Sequence, residues 1–221
     1  GEILSLGYLI YVTDWIQEPF RRTPLFGDVC KCFVWLGYPT LLGGLLNIMD
    51  RNVILPILGG EAVSVLFVAM IAGKAVSYVA KPMGNVMLSY FAQPTFVMTR
   101  RKYWGINLAT VVVGAGCYLL SIAISEWMLH CFYPMYADKA MPLVMHATSV
   151  PVLLMVSALA QPAVLRFVKL SILSFWQSLY VAVYIGMAVL LTSQYGLYGF
   201  CYAASFLVLL RILILWWLGA R

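Results

Sequence analysis

Charge is what this sequence has least of. Eight acidic and fourteen basic residues make up 10% of its 221 positions, where a soluble domain carries roughly a quarter. Histidine occurs only twice, and neither carboxylates nor cysteines stand at metal-ligand spacing around His130 and His146, so no metal site is expected. The five cysteines are odd in number and mostly set in apolar runs, which excludes a secreted disulfide scaffold. The net charge of +6 comes from basic residues scattered along the chain with no patch among them, which argues against nucleic acid as a partner. P-loop, Gly-x-Ser-x-Gly and His-Glu-x-x-His signatures are missing too. Nothing here reads as an enzyme, and no cofactor is implied.

What is there is apolar. Hydrophobic residues make up 63% of the chain and the mean hydropathy is +0.93, too much apolar surface for so few charges to cover in water. The apolar runs far exceed the roughly ten-residue alternating strands of an outer-membrane barrel. The expected fold is therefore all-α, a polytopic transmembrane helix bundle. With about 20 residues needed per crossing, six spans are read: Cys32–Leu58, Ala62–Phe91, Trp104–Trp127, Leu143–Leu165, Leu170–Thr192 and Leu197–Leu218. Gly59-Gly60 separates the first two, and Gln194-Tyr195-Gly196 divides the last two.

Residues 1–31 are set apart from this six-helix lobe of residues 32–221. The stretch up to Val12 is apolar but too short to cross, and lacks the charged start of a signal peptide; it reads as the remnant of a preceding helix. Thr13 to Lys31 mixes charges with Trp15, Phe20 and Leu25, as an interfacial cytoplasmic linker would. Arg21, Arg22 and Lys31, then Arg100 to Lys102, then Arg166 and Lys169, and finally Arg221 all fall on one side of the six-span arrangement. By the positive-inside rule that side is cytoplasmic, which places both ends of the chain in the cytoplasm and the lobe in the inner (plasma) membrane.

Ionisable groups at membrane depth are costly and mark a pathway or a bound charge by default. Asp50 and Arg51 lie in the second half of the first span, with Asn47 one turn earlier. Lys74 is central in the second span. Lys81 follows seven residues later on the same expected helical face, with Tyr78 between the two lysines and Asn85 extending the stripe. Structural roles compete with functional ones: Asp50 could pair with a neighbouring helix, and Lys81 and Arg211 could snorkel to the headgroups. Pro56, Pro82, Pro151 and Pro162, with Gly43, Gly44, Gly73 and Gly84, mark bent helices beside these polar residues, common where transporters line a cavity and equally the mark of close helix packing.

Several segments resemble a known family. Tyr38-Pro39-Thr40, the run from Leu46 through Asp50-Arg51 to Leu55, and Leu58-Gly59-Gly60-Glu61-Ala62-Val63 are similar to the opening of the second lobe of polysaccharide (O-antigen type) flippases. These are oligosaccharide exporters of the multidrug/oligosaccharidyl-lipid/polysaccharide superfamily. Phe132-Tyr133-Pro134-Met135-Tyr136 with Ala140 resembles that family's short outer segment, and Gly196-Leu197-Tyr198-Gly199-Phe200 its Gly-x-x-Gly turn. The resemblance covers Lys31 to the C-terminus. It implies a fold of two six-helix lobes, this chain being the second, with an N-terminal lobe of the same polypeptide as its natural partner.

On that resemblance the expected function is export of a lipid-linked oligosaccharide or polysaccharide precursor across the bilayer by alternating access. Lys74, Lys81 and Arg51, with Asn85 and Tyr78, would bind the substrate's anionic pyrophosphate. Asp50 and Asn47 would position Arg51 or hold a coupling ion or proton. A small-molecule, multidrug-type exporter of the same superfamily is the first alternative. A membrane-embedded glycan polymerase or acyltransferase is the second, although the outer segment from Met128 to Pro142 offers it only His130, Asp138 and Lys139.

Overall fold

The computed structural model describes residues 7–8, 10–12, 24–93, 98–165, 168 and 170–220. The greater part of the linker, 13–23, and the basic residues Arg166, Lys169 and Arg221 lie outside this set. The described residues contain no strand. Helix α1 is Phe26–Leu46, α2 Met49–Ser77, α3 Ala80–Ala92, α4 Arg100–Phe132, α5 Pro134–Ala140, α6 Val144–Leu165 and α7 Leu170–Ala220, with a 3₁₀ turn at Met141–Leu143. Four helical stretches are long and apolar enough to cross a membrane: Phe26–Phe91, Arg100–Phe132, Pro134–Leu165 and Leu170–Ala220. This is the architecture of a helical membrane protein.

Two of these stretches fold back on themselves. In α2, Gly59 is non-helical at φ 84, and Asp50 meets Lys74 at 2.5 Å. A straight helix would hold that pair about 36 Å apart at 1.5 Å per residue, so the chain reverses at Gly59. In α7, Gly196 has φ 62, and the Arg211 guanidinium lies 5.2 Å from the centre of the Tyr180 ring. A straight helix would separate them by about 46 Å. Both reversals use a left-handed backbone that side-chain-bearing residues avoid. They fall at the glycines where the sequence placed its breaks.

Two further breaks divide what the sequence reads as continuous spans. Asn47 and Ile48 form a turn between α1 and α2, and the Asn47 side-chain amide donates to the Gly43 carbonyl at 3.1 Å. Such local side-chain bonds compete with the helix ladder. Tyr78 and Val79 form a turn between α2 and α3. Pro82, four residues on, has no N–H for the Tyr78 carbonyl and crowds it.

The helices are tied by packing and by a few polar contacts. The largest core cluster joins Ile54, Leu66 and Met70 of α2 to Ala147 and Val150 of α6 and to Tyr184, Phe200 and Leu207 of α7. Gly73 lets α2 approach α6 closely, since a Cβ there would stand 2.8 Å from Pro151 Cγ. Thr148 Oγ1 donates to the Ala69 carbonyl at 3.3 Å. At the end of the molecule where α7 finishes, the Tyr103 hydroxyl donates to the Leu215 carbonyl at 3.2 Å, and Phe91, Ala163 and Leu173 join the same cluster. At the other end, near Gly59, Lys139 of α5 is ion-paired to Glu61. The neighbouring lysine holds the Glu61 carboxyl below its ordinary range.

Candidate functional site

The folding-back of α2 brings its first turn against the middle of its second arm. Asp50 and Arg51 thereby face Phe67, Met70 and Lys74 across a cavity of about 410 Å³. α6 closes one wall with Val150, Pro151, Leu154, Met155 and Ala158, and α7 another with Tyr184 and Phe200. The floor is apolar and packed: Met70 is 2% exposed and Phe200 1%. Polar groups enter it chiefly from the α1–α2 turn and from the end of α2, as Asn47, Asp50, Arg51, Lys74, Ser77 and Tyr78.

The charges are arranged unequally. Lys74 Nζ binds Asp50 Oδ2, with the lysine side chain 26% and the aspartate 12% exposed. The other carboxylate oxygen, Oδ1, accepts the Arg51 backbone N–H at 2.9 Å. Asp50 thus neutralises Lys74 and braces the start of α2 at once. The Arg51 guanidinium makes no ion pair among the described residues. It lies 5.4 Å from the Phe67 ring centre, and Lys74 Nζ stands 5.5 Å from the same ring. One aromatic ring is therefore approached by two cations, a placement favoured by the ring quadrupole. With one carboxylate facing two cations, the cavity keeps a positive balance.

Five of the seven site residues expected from the sequence line this cavity: Asn47, Asp50, Arg51, Lys74 and Tyr78. The Asn47 Nδ2 donates to the Gly43 carbonyl. Asn85 is exposed on α3, outside the cavity lining. Lys81 lies in α3, with its side chain outside the described residues. The sequence reading did not place Phe67, Tyr184 and Phe200 at the site; none of them carries a charge.

Arg211 has partners on neighbouring helical segments. Its guanidinium packs over Tyr180 and Nη2 donates to Gln161 Oε1 at 3.5 Å. His146 stands among Tyr198 and Tyr202, with ring centres 5.8 and 5.1 Å away, an aromatic cluster near the Gly196 reversal. Among the described residues, no group of three His, Cys, Asp or Glu side chains is placed to hold a metal ion. No protein-family model matches the chain, and no curated protein or solved structure matches it either.

Proposed function

We propose that this chain lines the translocation cavity of a membrane transporter that carries an anionic, lipid-linked glycan precursor across the bilayer. The observation that carries this reading is the positively balanced cavity of about 410 Å³ at Asp50, Arg51 and Lys74, inside a bundle of apolar helices. A single charge at the bilayer centre costs about 2.5–3.5 kcal/mol on insertion scales. Three of them collected around one open space are best explained by a polar cargo.

Divided at Gly59 and Gly196, the four long stretches would make six passes, the number expected of one flippase lobe. The family resemblance at Asp50-Arg51, Gly59-Gly60-Glu61 and Gly196-Leu197-Tyr198-Gly199 points the same way. In this reading Arg51, which has no carboxylate across from it, meets the phosphate first. Lys74 is then exchanged from Asp50 to the substrate, and the released carboxylate is free to take up a proton or a cation. Tyr78, 66% exposed at the cavity's edge, gives the sugar an aromatic face to rest on. Basic residues collected at one face of the bundle would set its orientation in the plasma membrane, with both ends of the chain cytoplasmic.

The test is glycan display in cells whose only copy of the protein carries Arg51→Ala or Lys74→Ala. Both variants are expected to accumulate lipid-linked precursor on the inner leaflet and to lose surface glycan, while Lys74→Arg keeps part of it. Normal display from stably inserted Arg51→Ala and Lys74→Ala proteins would overturn the assignment. Loss of activity in His130→Ala and Asp138→Ala, with precursor still reaching the outer leaflet, would instead favour an enzyme of glycan assembly.

A further inference from the structure

The second arm of α2 brings Phe67, Met70 and Lys74 to the cavity, at the three- and four-residue spacing that stacks side chains on one helical face. Phe67 is half-buried and packs against the main core cluster, so its ring stands on a fixed base two turns before Lys74. Arg51 comes from the other arm, in the first turn of α2, and is exposed. Its electrostatic surroundings give it little reason to stay at the cavity. A cation in a first turn opposes the helix dipole, and Lys74 repels it. The oxygens of the adjacent Asp50 carboxylate are occupied, Oδ2 by Lys74 and Oδ1 by the Arg51 backbone N–H. A long arginine stem can carry its charged head away to water. What the guanidinium does meet is the Phe67 ring, whose centre lies 5.4 Å from Cζ.

We infer that Phe67 is a positioning residue: its ring keeps the Arg51 guanidinium at the cavity, where Arg51 and Lys74 can meet one anion together. Lys74 also approaches this ring, its Nζ 5.5 Å from the centre, but Asp50 already holds it from the opposite arm. Arg51 therefore depends on the ring and Lys74 does not. An aromatic ring suits the task better than a second carboxylate. A carboxylate would hold Arg51 and cancel its charge, whereas the ring attracts the cation through its quadrupole and leaves the charge available to a ligand. An aliphatic side chain at position 67 could fill the space without holding the guanidinium. The inference rests on the reading of this cavity as the place of an anionic cargo, and it names the group that sets where the first contact is made.

Fluorinated phenylalanines at position 67 test this, because ring fluorines weaken the quadrupole in steps while hardly changing the shape that packs. The full chain carrying phenylalanine, 4-fluorophenylalanine or 3,4,5-trifluorophenylalanine there is reconstituted in phosphatidylcholine nanodiscs and titrated calorimetrically with inorganic pyrophosphate. Affinity is expected to fall stepwise, reaching a loss of about two- to fivefold in the trifluoro form, the factor that a cation–π contact of about 0.5–1 kcal/mol confers. Phe67→Trp should bind at least as well as the parent, and Phe67→Leu as weakly as the trifluoro form. In an Arg51→Ala background the dependence on fluorine should vanish, since the ring then has no guanidinium to hold. Affinity indifferent to the fluorine count, or a dependence that survives Arg51→Ala, would overturn the inference and leave the anionic-cargo reading standing. Failure of the unmutated chain to bind pyrophosphate would overturn both.

Discussion

The hairpins of α2 and α7 are built alike and differ in how they handle charge. Each reverses at a glycine with positive φ, and each carries a cation about fifteen residues, roughly 22 Å of helix, beyond that glycine. In the first hairpin the cation, Lys74, meets a carboxylate from the opposite arm. In the second, Arg211 meets a ring and an amide oxygen. The lysine is fixed by a carboxylate from the opposite arm; the arginine is held by neutral groups. A basic residue thus pairs with a carboxylate in one hairpin and with neutral groups in the other. The deciding feature is the residue facing it.

The sharpest way to break the parallel is at the turns. Gly199→Val puts a Cβ where the Leu191 carbonyl oxygen lies, 2.0 Å away, and backbone cannot step aside as a side chain can. The α7 hairpin should fail to close, with loss of folded protein on size-exclusion chromatography in detergent. Gly60 has open space around it, so Gly60→Ala should behave as the parent.

Next comes Asp50→Ala, which strands Lys74. Breaking a fully buried pair costs about 3–5 kcal/mol, and the 26% exposure of Lys74 places this loss at or below the lower figure. Asp50→Leu combined with Lys74→Leu should recover most of it in denaturant unfolding, because no charge is left behind. A double variant as unstable as Asp50→Ala would show that the clasp is not what holds the α2 arms together.

Arg211→Met should cost less than Asp50→Ala, about 2 kcal/mol at most for a desolvated cation–π contact, because no carboxylate is orphaned by it. If the two variants proved equally destabilising, the distinction between the charged and the neutral partner would be lost.

The smallest effect belongs to Glu61 and Lys139, an exposed pair beside the first reversal. Lys139 lowers the Glu61 carboxyl below its usual 4.5, so the contribution is complete above that pH and disappears as pH falls through the lowered value. Unfolding at pH 6 and pH 3 should show it in the parent and not in Glu61→Gln, and added salt should erase it.

Much of the fold was legible because it depends on features local in the chain. Apolar runs of crossing length announce helices, and the reversals at Gly59 and Gly196 require a residue free to take positive φ. Asn47, Asp50, Arg51 and Lys74 were legible because charge and amide groups are rare in apolar runs, and Tyr78 because it stands between Lys74 and Lys81 in sequence. The Asp50–Lys74 pairing was not, since it depends on how far each arm travels from Gly59. Asn85 stands exposed on α3, outside the cavity lining, which the seven-residue spacing of the lysines could not indicate. The crevice between the arms of α7 was hidden for a related reason: Gln177 and Arg211 are far apart in sequence and line it together only through the reversal.

The turn at Gly196 also bears on biosynthesis. From Leu170 to Leu210 the chain carries no charged residue, so the first arm, the turn and most of the second arm can leave a translocon for lipid without moving an ion through hydrocarbon. Arg211 then emerges late, when Tyr180 is already in place on the first arm to receive it. Insertion of this hairpin as one closed unit spares the guanidinium a solitary passage through acyl chains, and the order of synthesis supplies the ring before the cation that needs it.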